Sequence, residues 1–148
     1  MVTQDGDLVW AVVLPRSDPR AGRDFVRAYA RLGAGLVRLL ADHGRSAAWV
    51  QAPGISEECC PLGSRGYVLE VDGAIVGAAA QHASATALLH HGTLSRSVDR
   101  ELIARLFSFP DPSTVRRLGG LDEHGIRTPP EELADEATRA LSSELGLA

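Results

Sequence analysis

The sequence contains no lysine: all 15 basic residues among its 148 are arginine. No side-chain amine exists in it, so chemistry that needs a positioned lysine is closed to the chain. Its two cysteines, Cys59 and Cys60, are adjacent. They neither close an ordinary disulfide loop nor form a CxxC-type zinc knuckle, and they read as reduced thiols. No apolar run reaches the roughly 20 residues that span a bilayer. At a net charge of −4 no cluster of basic residues offers the phosphate neutralisation that nucleic-acid binding requires. The start, "MVTQDGDLVW", has no positively charged region followed by an extended apolar one, which argues against a secretory signal. There is no internal repeat and no low-complexity segment. A soluble, cytoplasmic protein with no nucleic-acid or membrane partner is expected. The abundance of Ala, Gly, Arg and Leu resembles a high-GC bacterial coding bias.

What is present suits one domain. With 45% hydrophobic residues, a chain of this length can bury a core without disulfides or a structural metal. "GDLVWAVVLP" reads as a buried strand stopped by Pro15. From about Asp24 to Asp42, apolar residues recur at three- and four-residue spacing, which predicts one main helix ended near Gly44. "SAAWVQ" predicts a strand, and "APGISEECCPLGSRG" a long loop. "YVLEV" and "AIVGAAAQ" flank Asp72-Gly73, a strong hairpin signal, and "SATALLHHGTL" continues as a further strand. Ser97 is placed to cap a helix to about Phe107. Thr128-Pro129-Pro130-Glu131 reads as a capping box opening a last helix that buries Leu133, Ala137, Leu141 and Leu145. This order gives an α+β domain rather than a regular βαβ alternation.

The stretch "AIVGAAAQHASATALLHHGTL", Ala74 to Leu94, resembles the lipoate/octanoate-protein ligase and transferase family. Members of that family carry Lys-Ile-x-Gly-Ser-Ala-Gln, a short variable stretch, then His-His-Gly-Thr-Leu or Gln-His-Gly-Ser. "GDLVWAVVLP", "ECC…YVLEVDG" and "TVRRLGGLDEHGIRTPPEEL" are similar to further family segments, so the likeness covers most of the chain. It implies a mixed or antiparallel sheet with helices packed on one face, forming a single ligase-like domain over 1–148, truncated at its N-terminus. In the family an acid such as lipoate is activated with ATP to an acyl-adenylate and passed to a carrier domain, or an acyl group moves between carriers through a cysteine thioester. The lysine ahead of the Ile-x-Gly turn stabilises the developing negative charge. Ala74 holds that place here. The family's Arg-Arg-x-x-Gly-Gly-Gly loop would precede Val2. The chain alone is therefore expected neither to form lipoyl-adenylate nor to modify a lipoyl domain, and Ala74→Lys alone is not expected to restore either step.

An apolar cleft is expected between the Ala74–His82 and Ala87–Leu94 strands, with one histidine at its mouth. The residues expected to line it are Ala74, Ile75, Val76, Gly77, Ala78, Gln81, His82, Gly92 and Thr93. His90 and His91 are the candidate catalytic pair. Being consecutive on a strand, they face opposite sides, so at most one can serve a pocket. The alternative reading is one core or rim imidazole and one solvent-facing imidazole. Gly77 is either a packing position or a point of close ligand approach. The cysteines fit a buried pair, and Arg116 and Arg117 a solvated linker. No cofactor and no metal site is expected. The partners expected are an acyl or apolar small molecule, with a carrier protein or partner subunit. An exposed sheet edge near Leu8 to Leu14 predicts a homo- or hetero-oligomer. Three functions remain open: an enzyme that kept the acyl cleft but lost adenylation, repurposed for acyl transfer or cyclisation in specialised metabolism; a non-catalytic subunit completing a split cleft with another chain; or a decayed ligase remnant.

Overall fold

The computed structural model describes residues 6–21, 25–54, 66–109 and 112–147. Cys59 and Cys60 lie outside the described residues. Among the described residues, five strands form one antiparallel sheet: β1 (Leu8–Pro15), β2 (Ala47–Gln51), β3 (Tyr67–Val71), β4 (Ala74–Ala83) and β5 (Ala87–Leu94). Their spatial order is β1-β5-β4-β3-β2, which makes β1 and β2 the edges. The β3–β4 turn follows from Asp72 and Gly73, whose φ values of 51° and 82° match the twist of a two-residue hairpin. A register shift at Leu69/Glu70 adds one residue to β4 and bends it there.

Helices α1 (Phe25–Leu32), α2 (Ala34–Asp42) and α4 (Pro130–Leu145) cover one face, called the inner face. The expected single helix over residues 24–42 is two, interrupted at Gly33. The cause is a contact from far along the chain: the Trp49 indole N–H donates to the Gly33 carbonyl at 2.9 Å. A Cβ at position 33 would overlap that ring. The inner core joins Trp10 of β1, Leu69 and Val71 of β3 and Leu94 of β5 to Leu36, Leu39 and Leu40 of α2 and Leu133, Ala137 and Leu141 of α4. Leu36, Leu40, Leu69 and Leu94 are completely or almost completely shielded from solvent, each contributing about 1.5–3 kcal/mol relative to exposure.

The opposite, outer face is covered only in part. α3 (Arg100–Leu106) and a 3-10 turn at Pro112–Arg117 lie on the β3–β4 side. There Ile103, Phe107, Phe109 and Leu118 pack on Val68, Ile75 and Ala78. Asp99, rather than Ser97, caps α3, its Oδ1 accepting from the Leu102 N–H at 2.8 Å. The last helix also starts differently from expectation, because Pro130 forces the residue before it into an extended conformation. Pro129 (φ −52°, ψ 146°) therefore takes the cap position with no side-chain cap, and Thr128 instead offers its carbonyl to Arg96. Arg96 also pairs with Asp122 at 2.7 Å, tying the end of β5 to the approach to α4. Arg117 pairs with Glu70 at 2.9 Å, so this residue of the Arg-Arg pair is anchored to the sheet, while Arg116 is exposed. Among the described residues no helix is long and apolar enough to cross a membrane.

Candidate functional site

The β4–β5 hairpin divides its own motif between two environments. Gln81 stands opposite His90 and Ala80 opposite His91, and across β5 the partners are Val12 for His90 and Ala11 for His91. Because side chains alternate along a strand, His90 turns to the helices and His91 away from them. The β4 and β5 strands are hydrogen-bonded neighbours, so they do not form two walls of a cleft as expected. Together they make a floor with two usable faces.

On the inner face His90 has no exposed surface. Its ring meets Trp10 edge-on at 4.9 Å and 64°, and Tyr29 at 5.1 Å and 90°. Tyr29 in turn lies 4.4 Å from Tyr67. Both His90 nitrogens, both polar atoms of the Gln81 amide and the Trp10 indole nitrogen are buried without a hydrogen-bond partner. Burial, and secondarily the neighbouring His91, push the His90 pKa down from 6.5 to about 4, so the imidazole is neutral at pH 7. Unpartnered buried polar groups are costly, and among the described residues five such atoms gather here on three side chains. Gly92 permits the arrangement: a Cβ there would collide with the Ala78 carbonyl and stand 2.8 Å from Trp10.

On the outer face the ladder brings together Ala80 and His82 of β4, Leu89 and His91 of β5, and Val9, Ala11 and Val13 of β1. Val9 and Val13 are 62% and 65% exposed. Ala78 and Thr93 lie on the same face but are buried, at 7% and 6%, Ala78 beneath the α3 side. The result is an apolar floor, shaded along its β3–β4 border and open toward β1, with His91 and His82 as diagonal neighbours on it.

Ala74 lies elsewhere. It pairs with Val71 beside the hairpin turn, seven residues before Gln81 on β4 and hence about 20 Å from it at the rise of a strand. Its surroundings are Gly119, where a Cβ would come within 2.9 Å of the Ala74 methyl and 3.6 Å of His124 Nε2, and the His124–Asp72 pair, at 3.6 Å. Ile75 and Val76 are core side chains, 2% and 0% exposed. At Gly77 the close neighbours are the chain's own Thr93 carbonyl and Leu94 side chain, which a Cβ would meet at 2.5 and 2.9 Å. That space belongs to the fold, not to a ligand.

The residues expected as one site thus fall into three places: Ala74, Ile75 and Val76 by the turn; Gly77, Gln81, His90 and Gly92 on the inner face; Ala78, His82, His91 and Thr93 on the outer one. Sequence reasoning missed Trp10, Tyr29 and Tyr67 inside and Val9, Val13 and Leu89 outside. The unbroken apolar run "LVWAVVLP" carried the signal for β1, but the strand is an edge buried on one face only, with Val9 and Val13 exposed, and neither that face nor its register against β5 was legible. No group of three or more His, Cys, Asp or Glu among the described residues could hold a metal ion.

The family model for the lipoyl protein ligase A/B catalytic domain matches residues 1–141. No curated protein matches significantly by sequence. Among solved structures, lipoate-protein ligase A bound with ATP is similar over 95% of this chain and 53% of its own, at 20% identity and a TM-score of 0.72. Protein Ta0514 from T. acidophilum with bound lipoic acid is similar over 95% and 52%, at 18% identity and a TM-score of 0.68. The structure of the bi-partite lipoate protein ligase and its E2 lipoyl domain from Thermoplasma acidophilum gives 95% and 52%, 17% identity and a TM-score of 0.71. The chain spans about half the length of these solved relatives, and the likeness carries the fold.

Proposed function

Because this chain belongs to the family of lipoyl protein ligase A/B catalytic domains, we propose that it binds an acyl group on its outer face and does not itself form the acyl-adenylate. The observation that carries the proposal is Ala74, which holds the position where the family resemblance implies a lysine, in a chain with no lysine at all. Adenylation concentrates negative charge on the acyl-phosphate, and loss of one well-placed electrostatic donor costs on the order of 100- to 1000-fold in rate. A methyl group packed against Gly119 supplies no such charge.

The acyl chain would lie on Val9, Ala11, Val13, Leu89 and Ala80, with the His91 imidazole at its polar end as a hydrogen-bonding group. Each methylene removed from water contributes about 0.8 kcal/mol. A floor open on one side shields about half of an eight-carbon chain, giving about 3 kcal/mol and a dissociation constant in the millimolar range or weaker for the isolated chain. The acyl group is supplied by, or handed to, a carrier protein, in keeping with the relative whose structure includes its lipoyl domain. His91, the imidazole nearest the floor's centre, is the residue available for acid-base work if the bound acyl group reacts there.

Titration of the labelled protein with millimolar octanoate, followed by amide chemical shifts, tests this reading. The expected shifts fall on Val9, Ala11, Val13, Ala80, Leu89 and His91, and they shrink in a Leu89→Asp variant. Shifts confined to the inner-face set, or none at all, would refute it.

A further inference from the structure

Three side chains of the inner face leave their polar atoms without a protein partner: both nitrogens of His90, both amide atoms of Gln81 and the Trp10 indole nitrogen. They are not scattered. Gln81 stands opposite His90 in the β4–β5 ladder, Trp10 stands opposite Gly92, two residues along β5 from His90, and the Trp10 and His90 ring centres are 4.9 Å apart. One polar group therefore comes from each of β4, β5 and β1, side by side on one face. Tyr29 of α1 closes over the imidazole at 5.1 Å and 90°, and each of the five atoms is sealed from solvent. Protein interiors satisfy such groups with other protein groups or with ordered water.

We propose that Gln81, His90 and Trp10 form a binding site for ordered water, which ties β4, β5 and β1 together from the inner face. The chemistry of the three groups selects the occupant. The indole only donates, whereas the amide and the neutral imidazole each donate and accept. The occupant must accept from Trp10 and donate to the Gln81 Oε1 or to the unprotonated nitrogen of His90, and water does both at once. Charge argues against an ion. Burial keeps His90 neutral at pH 7, and Gln81 and Trp10 carry no charge, so nothing in the cluster offsets an ion's loss of hydration. The sealing of all five atoms leaves no opening for a larger organic molecule. Solvent reaches the border of the cluster along a groove of about 410 Å³ between β1 and α4, whose lining includes Trp10, Thr138 and Ser142. The three strands joined here are those whose outer faces form the apolar floor, so the water sets the spacing of that floor from behind. This inference is independent of acyl binding, and each can fail alone.

The test is water-selective NOE and ROE spectroscopy on the isotope-labelled full chain. Its two tryptophans give two indole N–H signals, and that of Trp49, bonded to the Gly33 carbonyl, is the internal reference. The expected result is a cross-peak from water to the Trp10 indole proton and to the Gln81 amide protons, of opposite sign in the two experiments, which marks a held water as distinct from proton exchange. In Gln81→Leu, an apolar replacement at a half-buried position, the Trp10 cross-peak should be lost with circular dichroism unchanged, and His90→Leu should act in the same way. The wild-type spectrum decides even if neither variant folds. A wild type with no water cross-peak at either group, a Trp10 cross-peak that survives Gln81→Leu undiminished, a direct hydrogen-bond coupling between the Gln81 amide and a His90 nitrogen, or Trp10 and Gln81 signals that follow chloride concentration at constant pH would each overturn the proposal.

Discussion

His90 and His91 share a side chain and differ by one position, yet one is sealed between two aromatic rings and the other stands on an open apolar floor. The inner histidine is neutral, unpartnered and packed, and its neighbours Gln81 and Trp10 are polar groups held without partners. The outer one sits among Val9, Ala11, Val13 and Leu89. A motif that reads as one site in sequence is therefore two half-motifs on opposite faces of a sheet, and only the outer half is accessible to a ligand without opening the core. The inner half maintains the floor; the outer half is the surface on which function is proposed.

The sharpest way to break this contrast is to enlarge the inner face. Gly92→Ala places a methyl group into the Ala78 carbonyl and against Trp10, and should cost about 3 kcal/mol or more in urea unfolding. A Gly92→Ala protein as stable as the wild type would mean that the inner face is not closed.

The second test uses acid. His90 has a folded-state pKa of about 4 against 6.5 unfolded, so the unfolded chain takes up the proton first. The stability associated with the neutral imidazole is fully present above pH 6.5 and is lost as pH falls toward 4, a change of about 3 kcal/mol. In His90→Leu this part of the acid dependence should disappear, while His91→Leu should retain it. Equal slopes in the two variants, measured by denaturant unfolding between pH 7 and 4, would contradict the assignment of faces. The smallest effect on stability belongs to the outer floor: His91→Leu should shift unfolding by no more than about 0.5 kcal/mol, whereas Leu89→Asp should weaken octanoate binding about tenfold by placing a carboxylate on apolar surface.

Much of the fold was legible. Strand β1, the hairpin at Asp72-Gly73, β5 and the buried face of α4 follow from local periodicity and turn chemistry. The break at Gly33 does not, because Trp49 lies on a strand whose approach no local pattern announces. Thr128 looked like a cap by composition, but two consecutive prolines moved the cap one residue on. At the site, alternation requires His90 and His91 to part, yet the direction of each depends on β1 register and on which face the helices cover. The distance between Ala74 and the histidines was readable from the length of β4 alone; treating the motif as a contiguous site concealed it. Gln81 meeting His90 follows from the hairpin, whereas Trp10 and Tyr29 closing over them is tertiary packing.

The central claim is tested most directly by incubating the full chain with lipoic acid, magnesium-ATP and an acceptor lipoyl domain, then measuring AMP release and the acceptor's mass, with a lysine-bearing ligase as positive control. The account predicts no AMP above background and an unmodified acceptor under conditions in which the control modifies it completely. An ATP-dependent gain of one lipoyl group on the acceptor would show that the chain adenylates without a lysine and would contradict the account.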